Sequence, residues 1–129
     1  NACTAAFSGW YPAERNGPDW WRWSSGKSEI RISVERGMQA RLEGQLSSLR
    51  QPNRVLLFVN GERSASLEVR DPGFQPIPAV PLSLRAGVNT VEMVSVNEAG
   101  TWPGDTRALA MAIRNARIAG EDTVCSVEP

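Results

Sequence analysis

Two-residue alternation of apolar and polar side chains runs through almost the whole chain, and helical periodicity is nearly absent. Ile30, Ile32 and Val34 alternate with Glu29, Arg31 and Ser33. Met38, Ala40, Leu42, Gly44 and Leu46 alternate with Gln39, Arg41, Glu43 and Gln45. That period buries apolar side chains only in strands with one face on a core, where every second residue points inward. The apolar run Val55 to Val59 is followed by Asn60-Gly61, and then Ala65, Leu67 and Val69 alternate with Ser64, Ser66 and Glu68. Asn-Gly between two such runs predicts a tight hairpin, because both residues tolerate positive φ.

Asp71-Pro72-Gly73 breaks the chain before Val80, Leu82 and Leu84. Ala86-Gly87 then predicts a turn, with Val91 and Met93 opposite Val94 and Val96 beyond it. Pro76, Pro78 and Pro81 suit an irregular or edge segment, since proline cannot donate to a ladder. The last strand carries Leu109, Met111 and Ile113, and the parity then changes to Ala116 and Ile118, which predicts a β-bulge near Arg114-Asn115. Eight to nine strands follow, in an all-β, antiparallel β-sandwich of jelly-roll type.

A chain of 129 residues fits one domain, here residues 1–129, long enough to bury a core without metals. With 41% apolar and 22% charged residues it is globular in composition and not disordered. Its 14 basic and 14 acidic residues are interspersed, so no basic patch suggests a nucleic-acid partner. There is no transmembrane helix and no signal peptide at the start. Opening at Asn1, the chain is expected to be either a mature product or, the favoured reading, a domain excised from a larger protein.

Cys3 and Cys125 sit near opposite ends, and without CxxC or any histidine they do not make a metal site. The first and last strands of a sandwich often lie side by side, where these two could form a disulfide. An oxidising compartment is then expected, the periplasm or the cell surface; the alternative is two reduced cysteines in a cytosolic protein.

Catalysis is tested largely by absence. Zero histidines exclude Ser-His-Asp triads, Cys-His pairs and histidine-ligated metals. Neither GxSxG nor GxxxxGK[ST] occurs. Glu14 with Asp105 could form a glycosidase-type pair, but each has an arginine close by in its segment. Ion pairing lowers a carboxyl pKa, and a general acid needs it raised. No catalytic residue, metal or cofactor is therefore assigned. Structural calcium is common in sandwiches of this type, yet no ligand cluster marks a site for it.

Five tryptophans are present, three of them in Asp19-Trp20-Trp21-Arg22-Trp23. Near the start stands Phe7-Ser8-Gly9-Trp10-Tyr11-Pro12-Ala13-Glu14, and near the end Thr101-Trp102-Pro103-Gly104-Asp105-Thr106-Arg107. A structural reading pairs Glu14 with Arg22, and Asp105 with Arg107 or Arg22, under a roof of indoles. A ligand reading makes a sugar site, with Trp10, Trp20, Trp102 and Tyr11 as contacts and the four charged residues as its polar support. Indole faces match the C–H faces of pyranose rings. Charges among aromatic residues are usually paired, which favours structural roles for Arg22 and Asp105. Strand parity sets Trp20 opposite Trp21 and Trp23. If that pair belongs to the core, Trp20 is the exposed member and carries the sugar-binding reading.

The order Gly9-Trp10-Tyr11-Pro12-x-Glu14, then Trp21-Arg22-Trp23-Ser24, then a Val59-Asn60-Gly61 hairpin, then Asp105-x-Arg107-x-Leu109 entering a final strand is distinctive. It resembles the jelly-roll domains of carbohydrate-binding type that accompany bacterial multi-pass membrane glycosyltransferases and related cell-envelope glycan proteins. The similarity runs roughly from Phe7 to Ile118. It implies a non-catalytic, extracytoplasmic module that binds a glycan or positions an acceptor and is anchored through a parent membrane domain. It points to Trp10, Tyr11, Glu14, Arg22, Trp23, Asp105 and Arg107. This sequence departs from the pattern at the doubled Trp20-Trp21 and at Leu109-Ala110-Met111, where a glycine after the leucine is commoner. A structural module that docks on its parent or a partner protein through the same aromatic patch is the alternative.

Overall fold

The computed structural model describes residues 1–129, and all of its regular structure is β. The strands are β1 (Cys3–Ser8), β2 (Glu14–Asn16), β3 (Asp19–Ser24), β4 (Lys27–Val34), β5 (Met38–Ser48) and β6 (Asn53–Val59). They continue with β7 (Glu62–Val69), β8 (Gln75–Pro76), β9 (Val80–Leu84), β10 (Gly87–Ser95), β11 (Met111–Gly120) and β12 (Ser126–Val127). Nine of the twelve are five residues or longer, against the eight to nine expected, and β1 is a strand that alternation did not reveal. The three short ones, β2, β8 and β12, have too few residues to show a period.

One sheet is ordered β12-β1-β4-β10-β6-β7 and the other β2-β3-β11-β5-β8, with β9 also on β5. All pairings are antiparallel except β1 with β12. The core lies between the sheets. Ile30 and Ile32 of β4, Val55 and Leu57 of β6, and Val91 and Met93 of β10 meet Leu42, Leu82, Met111, Ile113 and Ile118 from the facing sheet. Each such side chain withdrawn from water contributes about 1.5–3 kcal/mol.

The local expectations resolve residue by residue. Asn60 and Gly61 take φ values of 51° and 86° and close the β6–β7 hairpin. Pro76 and Pro81 lie on β8 and β9, which pair only with β5 at the sheet margin. Between Arg114↔Gln45 and Arg117↔Glu43, Asn115 and Ala116 oppose the single residue Gly44. This is the bulge that moves the inward parity from Met111 and Ile113 to Ala116 and Ile118.

Cys3 and Cys125 are joined in a disulfide. Cys125 N–H donates to Ile118 O of β11, whereas the adjoining β12 pairs with β1 of the opposite sheet. The stapled segment therefore ties the two sheets together at one edge. Closing a loop of 122 residues stabilises the fold by about 5 kcal/mol if the effect is counted as lost unfolded-chain entropy. No helix is long and apolar enough to cross a membrane.

Candidate functional site

Strand β3 has two functional faces, and its register with β11 and β5 defines both. Arg22 lies level with Ile113 and Leu46, and Ser24 with Met111 and Ser48. Those partners are core residues or buried beside the core, so Trp20, Arg22 and Ser24 form the inward set. Trp23 is level with Ala112 and Ser47, and Trp21 with Arg114 and Gln45, in two rows on the outer face. Glu14 is directly opposite Trp21 and shares that outer face.

On the inward side Phe7 is the hub. It meets Trp10 and Trp20 edge to face, with ring centroids 5.9 and 5.5 Å away. The Arg22 guanidinium stands over the same ring at 5.2 Å. Trp10 is only 9% exposed and donates its indole N–H to Glu29 O at 3.0 Å. Arg22 donates Nη1 to Tyr11 O at 3.2 Å and Nη2 to Pro129 O at 2.7 Å, while its buried Nε has no partner. Burial pushes the Arg22 pKa down; Glu128 opposes that shift and Arg15 reinforces it.

On the outer side the loop between β10 and β11 stands beside the Trp23 row. An antiparallel bridge, Gly100↔Leu109, closes its base with two backbone hydrogen bonds of 2.8 Å. Its tip is Trp102-Pro103-Gly104-Asp105, where Asp105 N–H donates to Trp102 O at 2.9 Å and Gly104 takes φ 83°. Proline then glycine is the pair that a type II turn calls for at its two central positions. The turn holds the Trp102 indole 61% exposed.

Arg107 locks the loop to the sheet. Its Nε donates to Asp105 Oδ1 at 3.0 Å, its Nη2 to Oδ2 at 2.7 Å, and its Nη1 to Glu14 Oε2 at 3.3 Å. Its guanidinium lies 5.3 Å from the Tyr11 ring centroid, and Tyr11 donates its hydroxyl to Ala108 O at 2.9 Å. The Arg107 side chain and then its backbone N–H draw the Asp105 pKa down from 3.8 to about 2. The hydrogen bonds from Arg107 to Asp105 in turn raise the Arg107 pKa above its usual value.

These pieces enclose an open cleft of about 500 Å³. Trp23 and Ser47 line it at the sheet, with Trp102, Leu109, Glu14, Asp105 and Arg107 on one side. Ser48, Leu49, Gln51, Pro72 and Gly73 complete the lining. The cleft has apolar faces from two indoles and fixed polar groups beside them, the combination that orients a small ligand. No group of three or more carboxylates, cysteines or histidines lies together.

The structure brings together Trp102, Glu14, Asp105 and Arg107 of the expected site residues, with Tyr11 bracing them from outside the cleft. It corrects three expectations. Trp20 does not face solvent while Trp21 and Trp23 pack inside: the faces are exchanged, because Phe7 from the other sheet receives Trp20. Trp10 is buried and is not an exposed stacking candidate. Arg22 pairs with neither Glu14 nor Asp105, since Glu14 lies on the opposite face of the sheet; backbone carbonyls take its place. The resemblance pointed to Trp23, but strand parity set it in the core, and Ser47 was missed as a cleft residue. Their signal was the register across the small Ala112, which needs the pairing of three strands distant in sequence.

No family model matches the chain, and no curated protein does. Solved structures are similar in fold. A family 35 carbohydrate binding module from an environmental isolate shares 14% identity at a TM-score of 0.58, over 95% of this chain and 94% of that one. A family 35 carbohydrate binding module from Clostridium thermocellum shares 12% identity at 0.55, over 90% and 92%. The EclA C-terminal domain, a sugar-binding protein, shares 12% identity at 0.53, over 84% and 82%. At such identity the likeness establishes the jelly-roll sandwich and nothing finer.

Proposed function

We propose that this chain is a non-catalytic module that binds carbohydrate in the cleft between Trp23 and Trp102. The observation that carries this reading is the exposed Trp102 indole, held by a closed turn beside Trp23 and the Glu14–Arg107–Asp105 network. An exposed indole offers an apolar face to a pyranose ring, and groups already fixed by one another meet hydroxyls without being ordered on binding. The similar fold of carbohydrate binding modules supports the same reading. Non-catalytic action is supported by the absence of histidine and by Asp105, which stays ionised at neutral pH and has no proton to give as a general acid.

The finer reading is a single extracytoplasmic domain that holds a glycan acceptor for a membrane glycosyltransferase or cell-envelope glycan protein. The order of motifs along the chain supports it, and a disulfide fits an oxidising compartment. Hydrophobic spans elsewhere in the parent protein would agree with that context; a lone signal peptide as the only further segment would contradict it.

Binding to a glycan array and to the parent protein, measured for two variants, tests the cleft. Trp102→Ala is expected to lower glycan affinity by about tenfold or more, about 1.4 kcal/mol, at unchanged thermal stability. Trp20→Ala is expected to destabilise the fold by about 3 kcal/mol and to leave affinity unchanged in the folded fraction. Association with the parent protein but with no glycan would establish the docking alternative instead.

A further inference from the structure

The outer face of β2, β3, β11 and β5 carries a second row below the cleft floor: Glu14, which is paired with Arg107, then Trp21, Arg114 and Gln45. Successive outward residues on a strand lie about 7 Å apart, roughly the advance from one sugar ring to the next. A glycan that stacks at Trp23 and runs along β3 would place a neighbouring sugar over this row.

Three arginines in the molecule are half-buried: Arg22, Arg107 and Arg114. Arg107 holds two carboxylates, and Arg22 is taken up by backbone carbonyls. Arg114 has no carboxylate within ion-pairing distance. Its Nε donates to the neutral Gln45 Oε1, and its guanidinium carbon stands over the Phe74 ring, 4.4 Å from the centroid. Phe74 directly follows Pro72 and Gly73, which line the cleft. A guanidinium fixed on one side by an amide and on one face by a ring keeps its two terminal nitrogens as a preset fork. A partly desolvated guanidinium with no carboxylate within 4 Å of it favours an anion over water.

We infer that Arg114 is an anion subsite, and that the ligand of the cleft is an acidic glycan whose carboxylate or sulfate group sits one sugar from the ring stacked at Trp23. This rests on the carbohydrate reading of the cleft and adds the charge of the ligand to it.

Calorimetric titration of the whole chain with matched hexasaccharides tests the subsite. One pair is oligogalacturonate and its carboxyl-reduced form, and the other is a sulfated galactan oligosaccharide and its desulfated form. In at least one pair the acidic member should bind about tenfold more tightly, and the pair that shows the gap identifies the anion. Arg114→Gln should close the gap without changing affinity for the neutral member. Arg114→Lys, which keeps the charge and loses the fork, should leave a gap of intermediate size with the fold intact by circular dichroism. Equal binding within both pairs, or a gap that survives Arg114→Gln, overturns the anion subsite alone. Failure of every oligosaccharide, acidic and neutral, overturns the carbohydrate reading and the subsite with it.

Discussion

Asp105 takes hydrogen bonds from the Arg107 backbone and from Nε and Nη2 of the same residue, and so fixes the turn that presents Trp102. Its pKa of about 2 in the folded chain, against an ordinary 3.8, follows first from the side-chain bonds and then from the backbone one. A carboxyl whose folded pKa is depressed stabilises the fold above its unfolded pKa. That contribution is lost as pH falls toward the folded value, here between about pH 4 and about pH 2. Acid unfolding monitored by tryptophan fluorescence should therefore include a component in that window that Asp105→Asn removes. An acid limb identical in wild type and variant would show that the ion pair does not contribute to folding. At this scale the charged residues were legible in the sequence, but their partners were not. Glu14 and Arg22 are eight positions apart and each sits among tryptophans, and only the β2–β3 register places them on opposite faces.

The bulge in β11 is the element that sets the outer rows in place. It was visible as a parity change between Ile113 and Ala116, because an extra residue must exchange the two faces of a strand. Opposite it, Gly44 takes φ 143°, and a Cβ built there would lie 3.0 Å from Arg114 O and 3.1 Å from Ala116 Cα. Both neighbours are backbone, so neither can rotate away. Gly44→Ala is expected to destabilise the chain by about 1–3 kcal/mol, measured by urea denaturation. A stability within experimental error of wild type would mean the strand pair relaxes around the added methyl. Strand β3 shows the opposite limit of sequence reading. Alternation states which of its residues share a face, and Trp20 was correctly set against Trp21 and Trp23. It does not state which face is inside when both carry indoles. The inward set includes Ser24, a polar residue buried by its hydrogen bond with Ser28, so polarity pointed the wrong way.

Across the whole molecule β3 links two distant parts of the chain through its opposite faces. Arg22 reaches inward from β3 to Pro129 at the stapled edge, and Trp23 reaches outward to the cleft. The sandwich was legible from periodicity, the hairpin from Asn60-Gly61 and the stapled ends from the placement of two cysteines. The cleft was not, because its floor and walls come from β2, β3, β5 and three loops that are distant from one another in sequence. Five indole N–H groups report on this division directly, and a titration of their proton–nitrogen correlation peaks with a glycan that the chain binds separates the two faces. The Trp102 and Trp23 peaks are expected to shift progressively with ligand, while Trp10, bonded to Glu29 O inside the core, stays in place. Shifts confined to Trp10 and Trp20, or none among the five during saturable binding, would contradict a carbohydrate site between Trp23 and Trp102.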